Sequence, residues 1–375
     1  MDLADSPAEH DFRQRLRCWL DDHRPPSAAA GADLGARHDA LVAWHRLLYA
    51  GAWVGLSWPR AYGGQGFGPM EEAILAAELA AAGYPPPLGF GYIGRPILAF
   101  GSESQKQRWL PSMLRGDVLW CQGFSEPGAG SDLAGLTTRA VRSPGGWCIT
   151  GQKVWTSYAQ FAGRCLLLAR TGDDGPPHAG LSVFVLDMAA PGITLAPITT
   201  IRGDQEFCEV FLEGVEVDDE AMVGRAGQGW ELAMTTLAYE RGPVDIGFAA
   251  RYGVVLDRLV RALEGGGRVG ETDQLAVARA AVSVEVLTLQ CLRSLTRRAE
   301  GTPPGPEGSV DKLLMATTEQ HLLGVALDAL GASPLLDDAD DWFGEYLWSR
   351  AATIYGGTAQ IQRNILATRV LGFPR

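Results

Sequence analysis

Three short stretches of the chain gather residue types that can do chemistry together. GFSEPGAGSD, residues 123–132, holds three glycines, a proline, two serines and two acids within ten residues. Glycine lets a backbone come close to a partner, so the N–H groups of such a loop can meet an anion or the edge of a ring. A bare turn has no need of Ser125, Glu126, Ser131 and Asp132 together, so a cofactor contact stands beside the plain-loop reading. GQKVWTS, residues 151–157, reads as a turn leading into a strand that ends Trp155-Thr156-Ser157. An aromatic beside hydroxyls suits a planar heterocycle that is stacked on one side and hydrogen-bonded at its edge. A core tryptophan in a β domain gives the same pattern and, taken alone, is commoner. IYGGTAQIQRN, residues 354–364, sets a Gly-Gly turn before a helix, with Thr358 suited to the N-cap. The N-terminus of such a helix can face a ligand.

Other chemistries fail on context. Gly89, Gly91 and Gly94 form a GxGxxG, but a triple proline precedes it and no βαβ pattern surrounds it. There is no GxxxxGK[ST] and no GxSxG, which removes support for a phosphate loop or an esterase elbow. The closest pair of the six cysteines, Cys148 and Cys165, is 17 residues apart, so no zinc spacing exists. Free buried thiols in a reducing cytoplasm are expected. The histidines form no HExxH, and no metal is expected. A formal net charge of −12 leaves a nucleic-acid backbone without electrostatic attraction. Apolar residues at 46% and charged residues at 20% argue against a disordered chain. No uninterrupted apolar run of about 18 residues predicts a membrane span. The opening MDLADSPAEHDF lacks the apolar centre of a secretory signal, so a cytoplasmic location is expected. Only three of the 32 basic residues are lysines, Lys106, Lys153 and Lys312, a bias read as that of a GC-rich genome.

The elements that must position these stretches fall into three blocks. Residues 1–119 show apolar residues at three- and four-residue spacings, as in HDALVAWHRLLYAGAW and PMEEAILAAELAAAG. Pro69 suits a first helical turn, Glu71 and Glu72 its positive end, and Gly83 the stop. Residues 120–225 carry short β-branched and aromatic runs such as RCLLLAR and LSVFVLDM between turn signals. Their spacing, without intervening helices, predicts an antiparallel β-barrel or sandwich. Residues 226–375 return to long helices with one apolar face. The expected fold is a multidomain α+β protein: an N-terminal helical bundle, a middle antiparallel β-barrel and a C-terminal four-helix bundle.

GFSEPGAGSD, KVWTS and IYGGTAQIQRN, in this order and spacing, resemble the acyl-CoA dehydrogenase flavoprotein family. LSWPRAYGGQGFGPMEEAILAAELAAAG, GSESQKQRWLPSMLRGD and EVFLEGVEV extend the resemblance over essentially the whole chain. It implies FAD between the β domain and the C-terminal bundle. Gln122, Phe124 and Ser125 fall at flavin-ring contacts, Ser131 near the pyrophosphate, and Gly130 among the cofactor-binding residues. Trp155 would pack on the isoalloxazine with Thr156 beside it, and Ser157 would hydrogen-bond the ring edge. Gly357, Thr358 and Gln360 would reach the cofactor from the last helix. The implied reaction is α,β-dehydrogenation of an acyl thioester, on CoA or an acyl carrier protein, to the 2-enoyl thioester.

The base is placed by the same resemblance. Many members carry the catalytic glutamate in YEGT, where this chain has Tyr355-Gly356-Gly357-Thr358. A branch resembling isovaleryl-CoA and long-chain types carries the base on an earlier helix, just before an arginine. TLAYERGPVD supplies Glu240 and Arg241 there, so Glu240 is the expected base and Arg241 orients or tunes it. Pro243 would kink the helix close by. The N–H of Gly356 and a ribityl hydroxyl would hold the enolate oxygen. Two departures concern assembly. GRVGETDQ stands where relatives carry the RxxFG whose arginine contacts a neighbouring subunit's FAD, and Ala329-Leu330-Gly331-Ala332 replaces a Gly-Gly pair. A homo-oligomer (dimer or tetramer) and a heterotetramer with a related subunit are both expected possibilities. Electron-transfer flavoprotein or a similar acceptor would take the electrons. The competing readings are an oxygen-using flavoenzyme on the same fold and a partner subunit without activity of its own.

Overall fold

A computed structural model describes residues 5–27, 32–173, 175–240, 245–266, 270–303, 305–336 and 341–374. The chain begins with five helices: α1 (Pro7–Asp22), α2 (Leu34–Ala50), α3 (Pro69–Ala81), α4 (Phe90–Phe100) and α5 (Glu103–Arg115). Local signals set their ends. Ser6 and Glu9 form a reciprocal capping box on α1, and Asp33 accepts from Ala36 N–H at the start of α2. Pro69 opens α3, Glu71 accepts from Gly68 N–H at 3.0 Å, and Gly83 turns left-handed just beyond the end.

Eight strands follow: β1 (Trp120–Gly123), β2 (Arg139–Ser143), β3 (Gly146–Ser157), β4 (Arg164–Arg170), β5 (Leu181–Asp187), β6 (Ile193–Ile198), β7 (Phe207–Val217) and β8 (Met222–Val223). The chain then returns to helix: α6 (Gly229–Glu240), α7 (Asp245–Gly266), α8 (Glu271–Ala299), α9 (Gly308–Leu330), α10 (Ser333–Leu336), α11 (Trp342–Ser349) and α12 (Ala359–Ile365).

Two compact units emerge, each built from separate stretches of chain. One comprises Met1–Pro25, Phe67–Pro86 and Arg241–Arg375; the other comprises Pro26–Gly66 and Pro87–Glu240.

In the first unit α3 lies against α7 and α8, and α9 packs on α7, α8 and α11. Tyr252, Leu259, Ala280, Leu287, Leu322 and Ala326 form its core. Glu78 of α3 is buried and accepts from Arg13 at 2.7 Å and Arg17 at 2.7 Å, tying α1 to α3. Burial alone would raise the Glu78 pKa, but the two guanidiniums outweigh it and hold it below the usual carboxylate value. Among the described residues, α8 is the one helix long and apolar enough to cross a membrane. Its inner face, Ala280, Val284, Leu287, Cys291 and Leu295, packs as a bundle helix does.

In the second unit the strands run β6-β7-β3-β2-β4-β5-β8, with β1 joined to β4. The middle block was expected to be antiparallel; the sheet is mixed, because β4 pairs parallel with both β1 and β2. The β2–β3 hairpin lies between β1 and β4 in sequence, and that long excursion lets β4 return in the same direction as β1. Ile149, Leu167, Phe184, Val210 and Val215 fill the core. Helix α6 packs on α4 and β5 in this unit. All six cysteines are free thiols, but Cys148 is only half-buried, and Cys18 is exposed because it lies on the outer face of α1.

Candidate active site

The 123–132 loop leaves β1 and is fixed from behind by an ion pair. Lys153 is wholly buried and donates to Glu126 at 2.8 Å and to the Phe124 carbonyl at 3.1 Å. The Glu126 carboxylate also accepts from Thr137 N–H at 2.7 Å, Thr137 Oγ1 at 2.8 Å and Thr138 N–H at 2.9 Å. Burial pushes its pKa up, but the Lys153 charge and these donors prevail and bring it down to about 2. Burial lowers Lys153 to about 8 despite Glu126, because a desolvated ammonium is costly. Ser125 accepts at its carbonyl from Val154 N–H at 2.9 Å, and Glu126 and Ala129 exchange two backbone hydrogen bonds. The loop is therefore set before any ligand arrives.

Its outer side is open. Gly128 and Gly130 take no left-handed φ, and a Cβ added to either would meet nothing within 4 Å. This chain gives no steric reason for glycine at these two places; close approach by a ligand would. Ser131 is exposed, Phe124 is buried and Ser125 is half-buried. Gln122 Oε1 is buried with no hydrogen-bond partner among the described residues, and so is Thr156 Oγ1. Such orphans are uncommon and mark places where a ligand completes the bonding.

Strand β3 explains why Trp155 faces out. Lys153 pairs with Val210 and Thr156 with Cys208, so β3 carries one extra residue between them. Strict alternation would send residue 155 to the same side as buried Lys153. The bulge reverses this: Trp155 takes φ +59° and is 58% exposed, while Thr156 is buried and Ser157 exposed. A left-handed tryptophan is strained, and such strain clusters at functional sites. Phe207 meets its ring edge-on at 6.0 Å. Tyr158, also left-handed, donates to Glu206 at 3.0 Å and anchors the strand end.

The other unit holds the glycine turn. Gly356 and Gly357 have φ of +63° and +90°. Gln362 is buried and donates from Nε2 to both carbonyls, at 3.0 and 3.1 Å. A Cβ at residue 357 would come within 2.5 Å of that nitrogen and displace the Gln362 amide, and the φ of +90° would strain any other residue there. Thr358 caps α12 by accepting from Ile361 N–H at 3.3 Å, and Gln360 is exposed. The backbone N–H of Gly356 makes no hydrogen bond among the described residues. Lys312 places its ammonium 3.7 Å from the Tyr355 ring centre.

Glu240 closes α6, but its side chain, all of Arg241 and Pro243 lie outside the described residues. The preceding residue, Tyr239, lies under the Arg95 guanidinium at 4.7 Å, and Arg95 donates to Ser57. Arg268, in the segment expected to replace RxxFG, is also outside the described residues.

The structure thus brings Gln122, Phe124, Ser125, Trp155, Thr156 and Ser157 to one end of the sheet in one unit. In the other unit it gathers Gly356, Gly357, Thr358 and Gln360 at one turn. Sequence reasoning missed Lys153 and Gln362. Lys153 had a signal, being one of three lysines in a chain that otherwise uses arginine; two of those three, Lys153 and Lys312, are buried. The donor set fits FAD. Exposed Trp155 offers a stacking face, orphaned polar atoms offer edge contacts, and the open glycine loop suits a diphosphate.

Comparison with known proteins identifies the family. The acyl-CoA dehydrogenase N-terminal, middle and C-terminal domain families match residues 6–117, 121–215 and 227–371. Acyl-CoA dehydrogenase IpdE1 of Mycobacterium tuberculosis is 38% identical, covering 97% of this chain and 98% of that protein. Acyl-CoA dehydrogenase FadE34 of the same organism is 40% identical over 94% of this chain and 49% of its own length. Among solved structures, the Tcur3481-Tcur3483 steroid ACAD superposes with a TM-score of 0.87 at 28% identity, covering both chains completely. Members of this family are FAD-dependent flavoprotein oxidoreductases. The chain belongs to the acyl-CoA dehydrogenase family.

Proposed function

We propose that the protein catalyses FAD-dependent α,β-dehydrogenation of an acyl thioester to the 2-enoyl thioester. The observation that carries this reading is the exposed, left-handed Trp155 beside the unpartnered, buried oxygens of Gln122 and Thr156. FAD, when bound, supplies the acceptor for the hydride leaving the substrate β-carbon. Glu240 takes the α-proton, since glycine at 356 cannot, and Arg241 orients or tunes it. The Gly356 N–H, which makes no hydrogen bond among the described residues, donates to the thioester oxygen as negative charge develops there. Trp155 stacks on the ring, with Ser125, Thr156 and Ser157 at its edge. Gly130 and Ser131 leave room for and contact the diphosphate. Gly357, Thr358 and Gln360 are assigned to the cofactor by the family resemblance. Electrons leave to electron-transfer flavoprotein or a similar acceptor.

CoA is the favoured carrier, because the relatives similar over nearly the whole chain are named acyl-CoA dehydrogenases. The likeness to a steroid ACAD favours a steroid-derived acyl group. A panel of CoA and acyl-carrier-protein thioesters, straight-chain and steroid-derived, tests this by enoyl product. Oxidation of none of them removes the reading.

Assembly with a related chain has its own support. Leu275, Val282 and Val286 are exposed along α8 at helical spacing, and one similar structure is the ChsE4-ChsE5 complex from Mycobacterium tuberculosis. A partner chain would supply the arginine that GRVGETDQ does not. Full FAD occupancy and activity in the protein expressed alone would refute this assembly.

A further inference from the structure

The buried ion pair does more than hold a loop. The lysine stem runs beneath β1: a Cβ at residue 123 would lie 3.5 Å from Lys153 Cγ and 3.0 Å from Cys165 Sγ. From there the ammonium reaches the Phe124 carbonyl at 3.1 Å. The carbonyl and the N–H of one trans peptide point in opposite directions. With the Phe124 oxygen drawn toward Lys153, the N–H of Ser125 is directed away from it. That N–H has no backbone partner among the described residues, whereas the flanking groups are committed: the Ser125 carbonyl to Val154 and the Glu126 N–H to Ala129. One donor is left over, aimed by a buried cation, in the segment that also holds the orphaned oxygen of Gln122.

We infer that Lys153 is a positioning residue for the flavin: by holding the Phe124 carbonyl it presents the Ser125 N–H to the isoalloxazine ring and strengthens that donor. The inference rests on the flavin-dependent function proposed above. Polarising the carbonyl draws electron density from the same peptide, so its N–H becomes a better donor. A donor to the ring gains strength when the ring takes up electrons, because hydrogen bonds to charged acceptors are the stronger ones. Lys153 therefore raises the flavin reduction potential as well as its affinity. Glu126 makes the arrangement tolerable: it neutralises the lysine and is itself held by Thr137 and Thr138.

The test uses the double variant Lys153→Met, Glu126→Gln. Removing the lysine alone would strand a buried carboxylate, whereas removing both charges leaves a site of similar volume. Circular dichroism checks the fold, titration of apoprotein gives the FAD affinity, and a dye-coupled reductive titration gives the midpoint potential. The expected result is a folded protein that binds FAD at least tenfold more weakly. Its midpoint should be lower by about 30 mV, the two-electron equivalent of a further tenfold loss in the reduced state. A folded variant with wild-type affinity and potential overturns the inference. So does weaker binding at an unchanged potential, which would make the pair a structural brace only. Wild-type protein that takes up no FAD would instead remove the flavin reading itself.

Discussion

Replacing Gly130 by alanine should move stability and cofactor affinity in opposite directions. The backbone there is not left-handed, and the new methyl would meet no atom within 4 Å. Alanine at a compatible glycine position stabilises by about 0.4–1 kcal/mol, because the unfolded chain loses freedom. The apoprotein should therefore be unchanged or slightly more stable. With FAD present, the same methyl occupies space assigned to the diphosphate. Overpacking a fitted site costs about 1–3 kcal/mol, roughly a five- to 150-fold loss of affinity. Urea unfolding of the apoprotein and fluorescence titration with FAD read the two quantities separately. A loss of stability beyond about 1 kcal/mol would mean that the chain itself requires glycine there. Unchanged FAD affinity would mean that the loop does not approach the cofactor. Either result refutes the reasoning.

Glu240→Gln should keep bound FAD and abolish thioester turnover, read by steady-state assay on the flavin-replete protein; an active variant means another group is the base. Trp155→Gly should cost the apoprotein about 1 kcal/mol or less in urea unfolding, since relief of about 1–2 kcal/mol of left-handed strain offsets the modest area it buries. A loss of about 3–5 kcal/mol would mark a core tryptophan instead. Glu78 has a folded pKa below its ordinary 4.5, so its stabilising contribution is present above that pH and is lost as pH falls through the folded value. Glu78→Gln should therefore cost about 1–2 kcal/mol at neutral pH, and its acid-unfolding curve should converge with that of wild type as the pH falls through the lowered Glu78 pKa. Parallel curves throughout would dissociate Glu78 from acid stability.

Local signals proved legible where the physics is local. Pro69 and Glu71 start α3, Gly83 follows its end, and Thr358 caps α12 as expected. Features that depend on distant partners were not legible. The parallel joins of β4 pair residues far apart in the chain, Trp120 with Arg164 and Arg139 with Arg170. The Lys153–Glu126 bond spans 27 positions, and nothing adjacent to either residue announces the other. The outward turn of Trp155 depends on a bulge against β7, so the alternation of β3 alone would have buried it. Gln362 braces the glycine turn, because its side chain reaches back from α12 onto two carbonyls. The candidate loops stood out by their residue types, whereas the side chains that hold them in shape required the fold.

Anaerobic mixing of the flavin-loaded protein with an acyl-CoA tests the proposed chemistry in a single absorbance trace. Dehydrogenation predicts rapid bleaching of the visible flavin band with one enoyl thioester formed per flavin, in the absence of oxygen. A protein that holds FAD yet bleaches with no acyl thioester would contradict the account.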